Sequence, residues 1–432
     1  MISKLFGFCI ILILVAIGLV TGFLLDYIFF YPLFMAFIWI IGGVYFYFHW
    51  ERHSPGPNTP PKLKEYPFVS IIIPCYNEGP NVVETIEAAA KQNYPNFEVI
   101  AVNDGSRDDT GTILDGLTKK YPQLRVVHHA ANQGKAMSMR TASLVARGEF
   151  FVCVDGDAML HPNATLYMVK PMVENPRVGA VTGNPRVRSR VTMLGKVQVG
   201  EFSSIIGLIK RAQRVYGQIF TVSGVIASYR RRALHDCGYW DVNIITEDID
   251  ISWTMQLRHW QIQYEPSATV WILMPETFGG LWKQRLRWAQ GGAEVYFKNI
   301  LKIWNWRNHR MWVLVADFCF STTWAFSYAI SVVLWALYKM DIPLPHALEV
   351  PTIWPPAFWG LVLACVSLLQ FTVALVIESR YDHKLLRSLV WTVWYPLFFW
   401  AMSLFTTLIG LPKAMFSEPK RALWESPDRG FR

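Results

Sequence analysis

With 432 residues, 52% of them hydrophobic, and a positive mean hydropathy, the chain is too apolar for one ordinary soluble domain, yet its middle is polar enough to be one. The net charge of +9 gathers at Arg186 to Arg190, Lys210 to Arg214, Arg230 to Arg232 and Lys283 to Arg287. These clusters lie beside apolar stretches and outside any nucleic-acid module, which argues against nucleic acid and for anionic headgroups and diphosphates.

In chain order, residues 1–50 hold two apolar runs, 5–25 and 28–48, separated by Asp26 and each long enough to span a bilayer as a helix. Residues 51–67, with Ser54-Pro-Gly-Pro57 and Pro60-Pro61, cannot continue a helix and read as a linker. From 68 to 278 the pattern becomes that of one α/β domain. Strands are expected at 68–75, 97–102, 124–128 and 149–154, and helices at 80–92, 108–120, 135–146 and 162–175. This alternation predicts a parallel, Rossmann-like sheet covered on both faces, with ligands beyond the carboxyl ends of its strands.

Residues 202–219 are amphipathic, with Phe202, Ile205, Ile206, Ile209, Tyr216 and Ile219 recurring at three and four while Lys210, Arg211 and Arg214 gather elsewhere. That suits a helix on a membrane surface or one packed on the soluble core. Residues 279–311 form a similar interfacial segment, and 312–338, 357–377 and 388–411 are three further candidate spans. If all five cross, the amino terminus and the α/β domain are cytoplasmic and the tail, 412–432, is external. The tail's Lys413, Lys420, Arg421, Arg429 and Arg432 oppose that placement, so either the last span is re-entrant or the positive-inside tendency is broken.

The chemistry sits at strand ends. Asp104, in Val102-Asn-Asp-Gly-Ser106, follows the second strand and could accept hydrogen bonds from a uracil or ribose, beside Asn77 and Glu78 after the first strand. Asp155 and Asp157, in Asp155-Gly-Asp157, can present oxygens to a divalent ion bridging a diphosphate, with Asp155 also near the nucleotide. Lys135, in Asn132-Gln-Gly-Lys135, could balance diphosphate charge. Asp248, in Thr246-Glu-Asp248 at the start of a helix over 246–258 that Thr246 could cap, suits a general base, with Glu247 supporting it. Gln284, Arg285, Arg287 and Trp288 share neighbouring faces of one helix, where an arginine can grip a pyrophosphate and the indole can meet a sugar's C–H face. The six cysteines stand singly, without zinc spacing, so a metal would be Mg2+ or Mn2+ on oxygen ligands. No Gly-x-Gly-x-x-Gly or Walker loop supports hydride or phosphoryl transfer. Together these groups describe sugar transfer at a membrane.

Standing in this order, the four motifs resemble the processive inverting glycosyltransferases of family 2, the group of cellulose, chitin and hyaluronan synthases. The resemblance implies a GT-A domain inserted between transmembrane helices of an integral membrane protein, a nucleotide-sugar donor, a divalent metal and a channel for the growing polysaccharide. Ser70 to Glu78, Arg177 to Arg186, Gly207 to Arg211, Thr221 to Gly224, Trp288 to Glu294 and Ser426 to Gly430 resemble the branch that polymerises N-acetylglucosamine. That likeness implies UDP-N-acetylglucosamine, a β-1,6-linked product exported for a biofilm matrix, a multi-pass place in a bacterial inner membrane, a small membrane partner subunit and, for some complexes, control by cyclic di-GMP. The alternatives are a hyaluronan, chitin or cellulose type of synthase, a polyprenyl-phosphate monoglycosyltransferase, or a non-catalytic export scaffold.

Overall fold

The computed structural model describes residues 1–354, 357–418 and 420–424, so the Ser426–Gly430 run lies outside the described residues. Two helices open the chain, α1 (Ile2–Val20) and α2 (Leu24–Phe46), and a widened turn carries α2 on to Glu51. The linker is tied to the domain behind it: the Tyr167 hydroxyl lies 2.8 Å from the Gly56 carbonyl and 2.7 Å from that of Thr59.

The catalytic domain then runs β1 (Val69–Cys75), α3 (Asn81–Ala90), β2 (Phe97–Asn103), α4 (Thr110–Lys120), β3 (Leu124–His128), α5 (Lys135–Val145), β4 (Phe150–Val154), β5 (Met159–Leu160), α6 (Ala164–Glu174) and β6 (Val178–Val187). After it come α7 (Met193–Glu201), α8 (Leu208–Tyr216), β7 (Ile226–Arg230), α9 (Arg231–Cys237), α10 (Glu247–Leu257) and β8 (Gln261–Ile272). The eight described strands form one sheet in the order β3-β2-β1-β4-β7-β6-β8-β5. The four strands expected from sequence are parallel neighbours. The expectation of a wholly parallel sheet needs correction, because β7 enters antiparallel to both β4 and β6, and β5 antiparallel to β8. β1 is buried along its whole length because alternate residues feed two cores. Ile71 and Ile73 join Val99, Ala101 and Val152 on one face, whereas Ile72 joins Ile100, Val102 and Phe151 on the other.

Beyond the domain lie α11 (Phe278–Ile303), α12 (Trp312–Lys339), α13 (Ala357–Glu378), the short α14 (Leu389–Thr392) and α15 (Ala401–Phe416). Among the described residues five helices are long and apolar enough to cross a membrane: those at Ile2–Val20, Leu24–Glu51, Trp306–Lys339, Phe358–Glu378 and Phe398–Phe416. The last of these has both of its flanks at the catalytic domain. Before it, Leu385 is buried in the catalytic domain's own core and a Cβ on Gly200 of α7 would meet Thr392. After it, the Ala422 N–H donates to the Val242 carbonyl (3.1 Å). The segment thus leaves the catalytic domain and returns to it, with α15 laid against α11 where Gly410 faces Ala289 and Gln290, and Ala422 bonded to the domain.

The amphipathic segment begins earlier than its periodicity suggests, at Met193, and a wide turn over Phe202–Gly207 shifts the register before α8. Lys210 and Arg211 of this segment are buried, whereas Arg214 is half-buried. Arg211 is fully buried, with Nε 2.6 Å from Glu51 Oε2 and Nη2 2.7 Å from Glu51 Oε1, while Nη1 pairs with Glu378. Arg186 of β6 pairs with the same Glu378, and the Tyr381 hydroxyl closes the set on Glu51 (2.7 Å). The ends of α2 and α13 are thereby locked to α8 and β6 by charges that have no water to turn to. Removing one partner of such a set typically costs about 3–5 kcal/mol. Arg211→Met should therefore lower the melting temperature of the detergent-solubilised protein sharply, whereas Lys91→Ala, which breaks an exposed ion pair, should leave it unchanged.

Candidate active site at the carboxyl edge of the sheet

The sheet order sets the ends of β2, β1 and β4 side by side, so the loops after them meet at one edge. Lys135, the first residue of α5, stands at the meeting point. Its ammonium lies 2.5 Å from Asp155 Oδ1 and 3.4 Å from Glu247 Oε1, and donates to the Gly224 carbonyl (2.9 Å). Burial alone would favour its neutral form, but Asp155, Glu247 and Asp248 overcome that and hold its pKa above the ordinary lysine value. Lys135 thus neutralises the acidic cluster in this state, where the sequence suggested contact with a diphosphate.

Asp248 is the second residue of α10 and accepts from the Ile249 N–H (3.0 Å). Burial pushes its carboxyl up to about 6, and the neighbouring Glu247 carboxylate adds to the rise, against the pull of Lys135, the Ile249 N–H and Arg287. A carboxylate tuned towards neutrality is suited to take a proton from a sugar hydroxyl. Thr246 does not cap the helix with its side chain. It instead receives α11: a Cβ on Gly291 would lie 2.4 Å from Thr246 Oγ1, so only glycine lets the helix carrying Gln284 to Trp288 press against the Thr-Glu-Asp turn.

That helix divides its motif. Arg285 turns away to a buried ion pair with Glu201 of α7 (2.7 Å) and lies over the Trp288 ring (4.5 Å). Arg287 is exposed and, of the two arginines, the one that acts electrostatically on Asp248. Gln284 Oε1 is buried without a hydrogen-bond partner. Trp288 lines a cavity of about 170 Å³ bounded by Gly292 of the same helix, Phe318, Ser321 and Thr322 of α12, and Thr407 of α15.

A second cavity, about 430 Å³, opens beside Tyr76, Asn103, Ser106, Arg107, His128 and Asn132. Asp104 lies behind it rather than in it. Fully buried, its Oδ1 accepts from the Gln133 N–H (2.9 Å) and meets His129 Nδ1 (2.7 Å), and its Oδ2 accepts from the Gly134 N–H (2.8 Å). It fixes the loop that delivers Lys135, a different task from the expected open contact to uracil or ribose. Asn77 holds the rim by accepting from the Arg107 N–H (2.9 Å). Glu78 is buried beneath Gly156, the centre of the Asp155–Asp157 turn. Sequence reasoning missed His129, Glu201 and Lys210. Lys210 Nζ donates to Thr182 Oγ1 (2.9 Å), and burial lowers its pKa to about 7 against the attraction of Asp248. No spacing marks these three, since each takes its meaning from a partner distant in the chain.

Among the described residues no group of three or more His, Cys, Asp or Glu side chains gathers as a ready-made metal cage. Asp155 Oδ1 is nevertheless buried and takes no well-aligned hydrogen bond, its close company being the Lys135 ammonium. Two carboxylates completed by phosphate oxygens and water are a set that Mg2+-like ions accept, so the residues present fit a divalent ion arriving with a diphosphate.

The family described as Glycosyltransferase like family 2 matches residues 67–291. A poly-beta-1,6-N-acetyl-D-glucosamine synthase from Staphylococcus epidermidis is 36% identical over 410 residues, covering 94% of this chain and 98% of that one. The chain belongs to this glycosyltransferase family. A synthase of the same name from Staphylococcus aureus is 35% identical over 407 residues, with the same coverage. The solved structure of a mannosyltransferase from Pyrobaculum calidifontis, in complex with GDP-Man and Mn2+, superposes with a TM-score of 0.53 at 19% identity, covering 91% of this chain and 99% of that one. The family 2 transferase and its GT-A fold, expected from the motifs, are therefore borne out.

Two outcomes follow for Asp248. Asp248→Asn should lower initial transfer rates roughly 10² to 10⁴-fold. The wild-type rate should fall as the pH drops through about 6, where the base becomes protonated. Glu247→Gln, which removes a carboxylate that raises that pKa, should shift this limb to lower pH.

Proposed function

We propose that the chain polymerises N-acetylglucosamine from UDP-N-acetylglucosamine into a β-1,6-linked polysaccharide and passes it across the bacterial inner membrane into a biofilm matrix. The observation that carries this reading is the joining of two sites by one helix. α11 touches the Thr-Glu-Asp turn through Gly291 and carries Trp288 to a cavity that opens between α12 and α15. The near-full-length likeness to the two staphylococcal synthases supports the donor and linkage.

In this mechanism the nucleotide lies in the cavity beside Tyr76 and Asn103, and Asp155 and Asp157 face the diphosphate. A divalent ion held there, Mg2+ or Mn2+, supplies neutralisation of the leaving group's charge. Asp248 takes the proton of the acceptor's primary hydroxyl. That oxygen then displaces UDP in one step, which inverts the anomeric centre. Arg287 steadies the departing diphosphate, while Gln284, with an unpartnered oxygen, and Trp288 hold the acceptor sugar. Lys135 is released from Asp155 to the diphosphate as the donor enters.

Four helices, α1, α2, α12 and α13, cross the membrane in this reading, with the catalytic domain, the amino terminus and the tail on the cytoplasmic side. Lys413, Lys420 and Arg421 then satisfy the positive-inside tendency. Four crossings make a thin wall for a polymer path, which a small membrane partner subunit would complete. Control by cyclic di-GMP would act through that complex.

The test is polymer formation by membrane vesicles holding this chain, with and without the partner, given labelled UDP-N-acetylglucosamine and Mg2+ or Mn2+. Wild-type product degraded by a β-1,6-glucosaminidase, and absent with Asp248→Asn, is expected. Silence with this donor beside activity with another nucleotide sugar would overturn the substrate assignment and leave the transferase standing.

A further inference from the structure

Between α8 and β7 the chain forms a strap, residues 219–224, whose backbone is tied along α10. Gln256 accepts from the Ile219 N–H (2.9 Å) and donates to the Ile219 carbonyl (2.8 Å). Trp253 Nε1 donates to the Phe220 carbonyl (3.1 Å), and Ser252 Oγ accepts from the Val222 N–H (2.9 Å). One residue further the partner changes, and the Ser223 N–H donates to Thr182 Oγ1 of β6 (2.8 Å). The strap then reaches the acidic cluster. A Cβ on Gly224 would lie 2.9 Å from Asp248 Oδ2, and the Gly224 carbonyl accepts from Lys135. Thr182 is therefore the tie next to the contact with Asp248, and Lys210 Nζ donates to the same Thr182 oxygen (2.9 Å).

Lys210 is an expensive residue to keep there. It is 5% exposed, and among the described residues its hydrogen bond goes to one neutral hydroxyl. The carboxylates nearest in the fold are engaged elsewhere: Glu51 after α2 and Glu378 of α13 pair with Arg211, which lies over Tyr264 of β8. Arg214, a turn further along α8, lies over Trp50. Burial brings the Lys210 pKa down to about 7, against the attraction of Asp248. A buried ammonium without a paired anion costs folding free energy, and methionine would fill similar space without that cost. Groups held at such a disadvantage beside a charged partner gather at functional sites. Asp248 itself faces Glu247 beside it, Lys135 of α5 and Arg287 of α11, and Lys210 adds a cation from α8.

We propose that Lys210 is a positioning residue for sugar transfer: through Thr182 it sets the Ser223–Gly224 end of the strap against Asp248, and its ammonium favours the carboxylate form of that residue. It acts through Thr182 and Asp248 and not on the sugar. The sign of the electrostatic part follows from the two titrations. Lys210 carries its charge below about 7, so it is a cation over the range in which Asp248, pushed up to about 6, gains its proton. A nearby cation opposes that protonation and keeps the base available at lower pH. The proposal rests on the reading above that Asp248 is the base.

The test is the initial rate of polymer formation against pH in the vesicles described above, with UDP-N-acetylglucosamine affinity and melting temperature measured on the same full-length proteins in detergent. Wild type is compared with Lys210→Met, Thr182→Val, Thr182→Ser and Asp248→Asn. Lys210→Met should lower the rate at saturating donor about tenfold or more and leave donor affinity within about twofold. Its acid limb should move to higher pH, and it should melt no lower than wild type. Thr182→Val should slow transfer in the same way, whereas Thr182→Ser, which keeps the hydroxyl, should transfer at close to the wild-type rate. A wild-type rate and an unmoved acid limb in Lys210→Met would overturn the proposal. So would a lower melting temperature with rate and donor affinity falling together, which is the mark of a brace. Turnover lost in Asp248→Asn but kept in Lys210→Met sinks the role of the lysine alone. Turnover kept in Asp248→Asn removes the base, and the proposal falls with that reading.

Discussion

Carboxylates from two separate elements, Asp155 from the turn after β4 and Glu247 and Asp248 from the start of α10, share the field of one ammonium, that of Lys135. Without it they would repel one another in a site largely closed to water, and the loop and helix that bear them could not meet. Asp104 exists, in structural terms, to place that lysine, since both its oxygens are spent on the loop delivering α5. The balance is close. Burial, with the Glu247 carboxylate beside it, still holds the Asp248 carboxyl above its ordinary value, which in the proposed mechanism suits it to act as a general base.

A second constraint fixes where this chemistry happens. Arg211, bound to Glu51 and Glu378, joins two apolar helices to the sheet through buried charged groups. α11 then lies between the sheet edge and the bundle, with the Thr246 contact and the Trp288 cavity on one rigid element. In the proposed mechanism a sugar joined at Asp248 is already at the mouth of the bundle, and extension and passage need not be separate encounters.

Much of this was legible in the sequence because it is local. The four parallel strands and the helices between them appear at their expected residues, since burial on both faces forces runs such as Val69–Cys75 to be continuously apolar. The motif residues fall at strand ends and helix starts for the same reason. What escaped is long-range pairing. Lys210 and Arg211 read as a basic face for headgroups because nothing near them announces Glu51, Glu378 or Thr182, each far away in the chain. Arg285 and Arg287 are equivalent in sequence and part company only when Glu201 claims the first. The course of the last helix was undecidable from hydropathy, because length and composition permit a span, whereas the contacts of Leu385 and Ala422 bring both flanks to the domain. β7 joined the sheet unannounced, as a short strand whose antiparallel partners lie well before it in sequence.

The central claim is that binding and proton removal are carried by different carboxylates of one cluster. Titration of UDP-N-acetylglucosamine in the presence of Mn2+ against Asp248→Asn and Asp155→Asn, in the same preparations used for turnover, tests it directly. The account predicts that Asp248→Asn binds the donor within about twofold of wild type while transferring almost nothing, and that Asp155→Asn loses the Mn2+-dependent part of binding. Full turnover by Asp248→Asn, or loss of donor binding in it with Asp155→Asn unaffected, would contradict it.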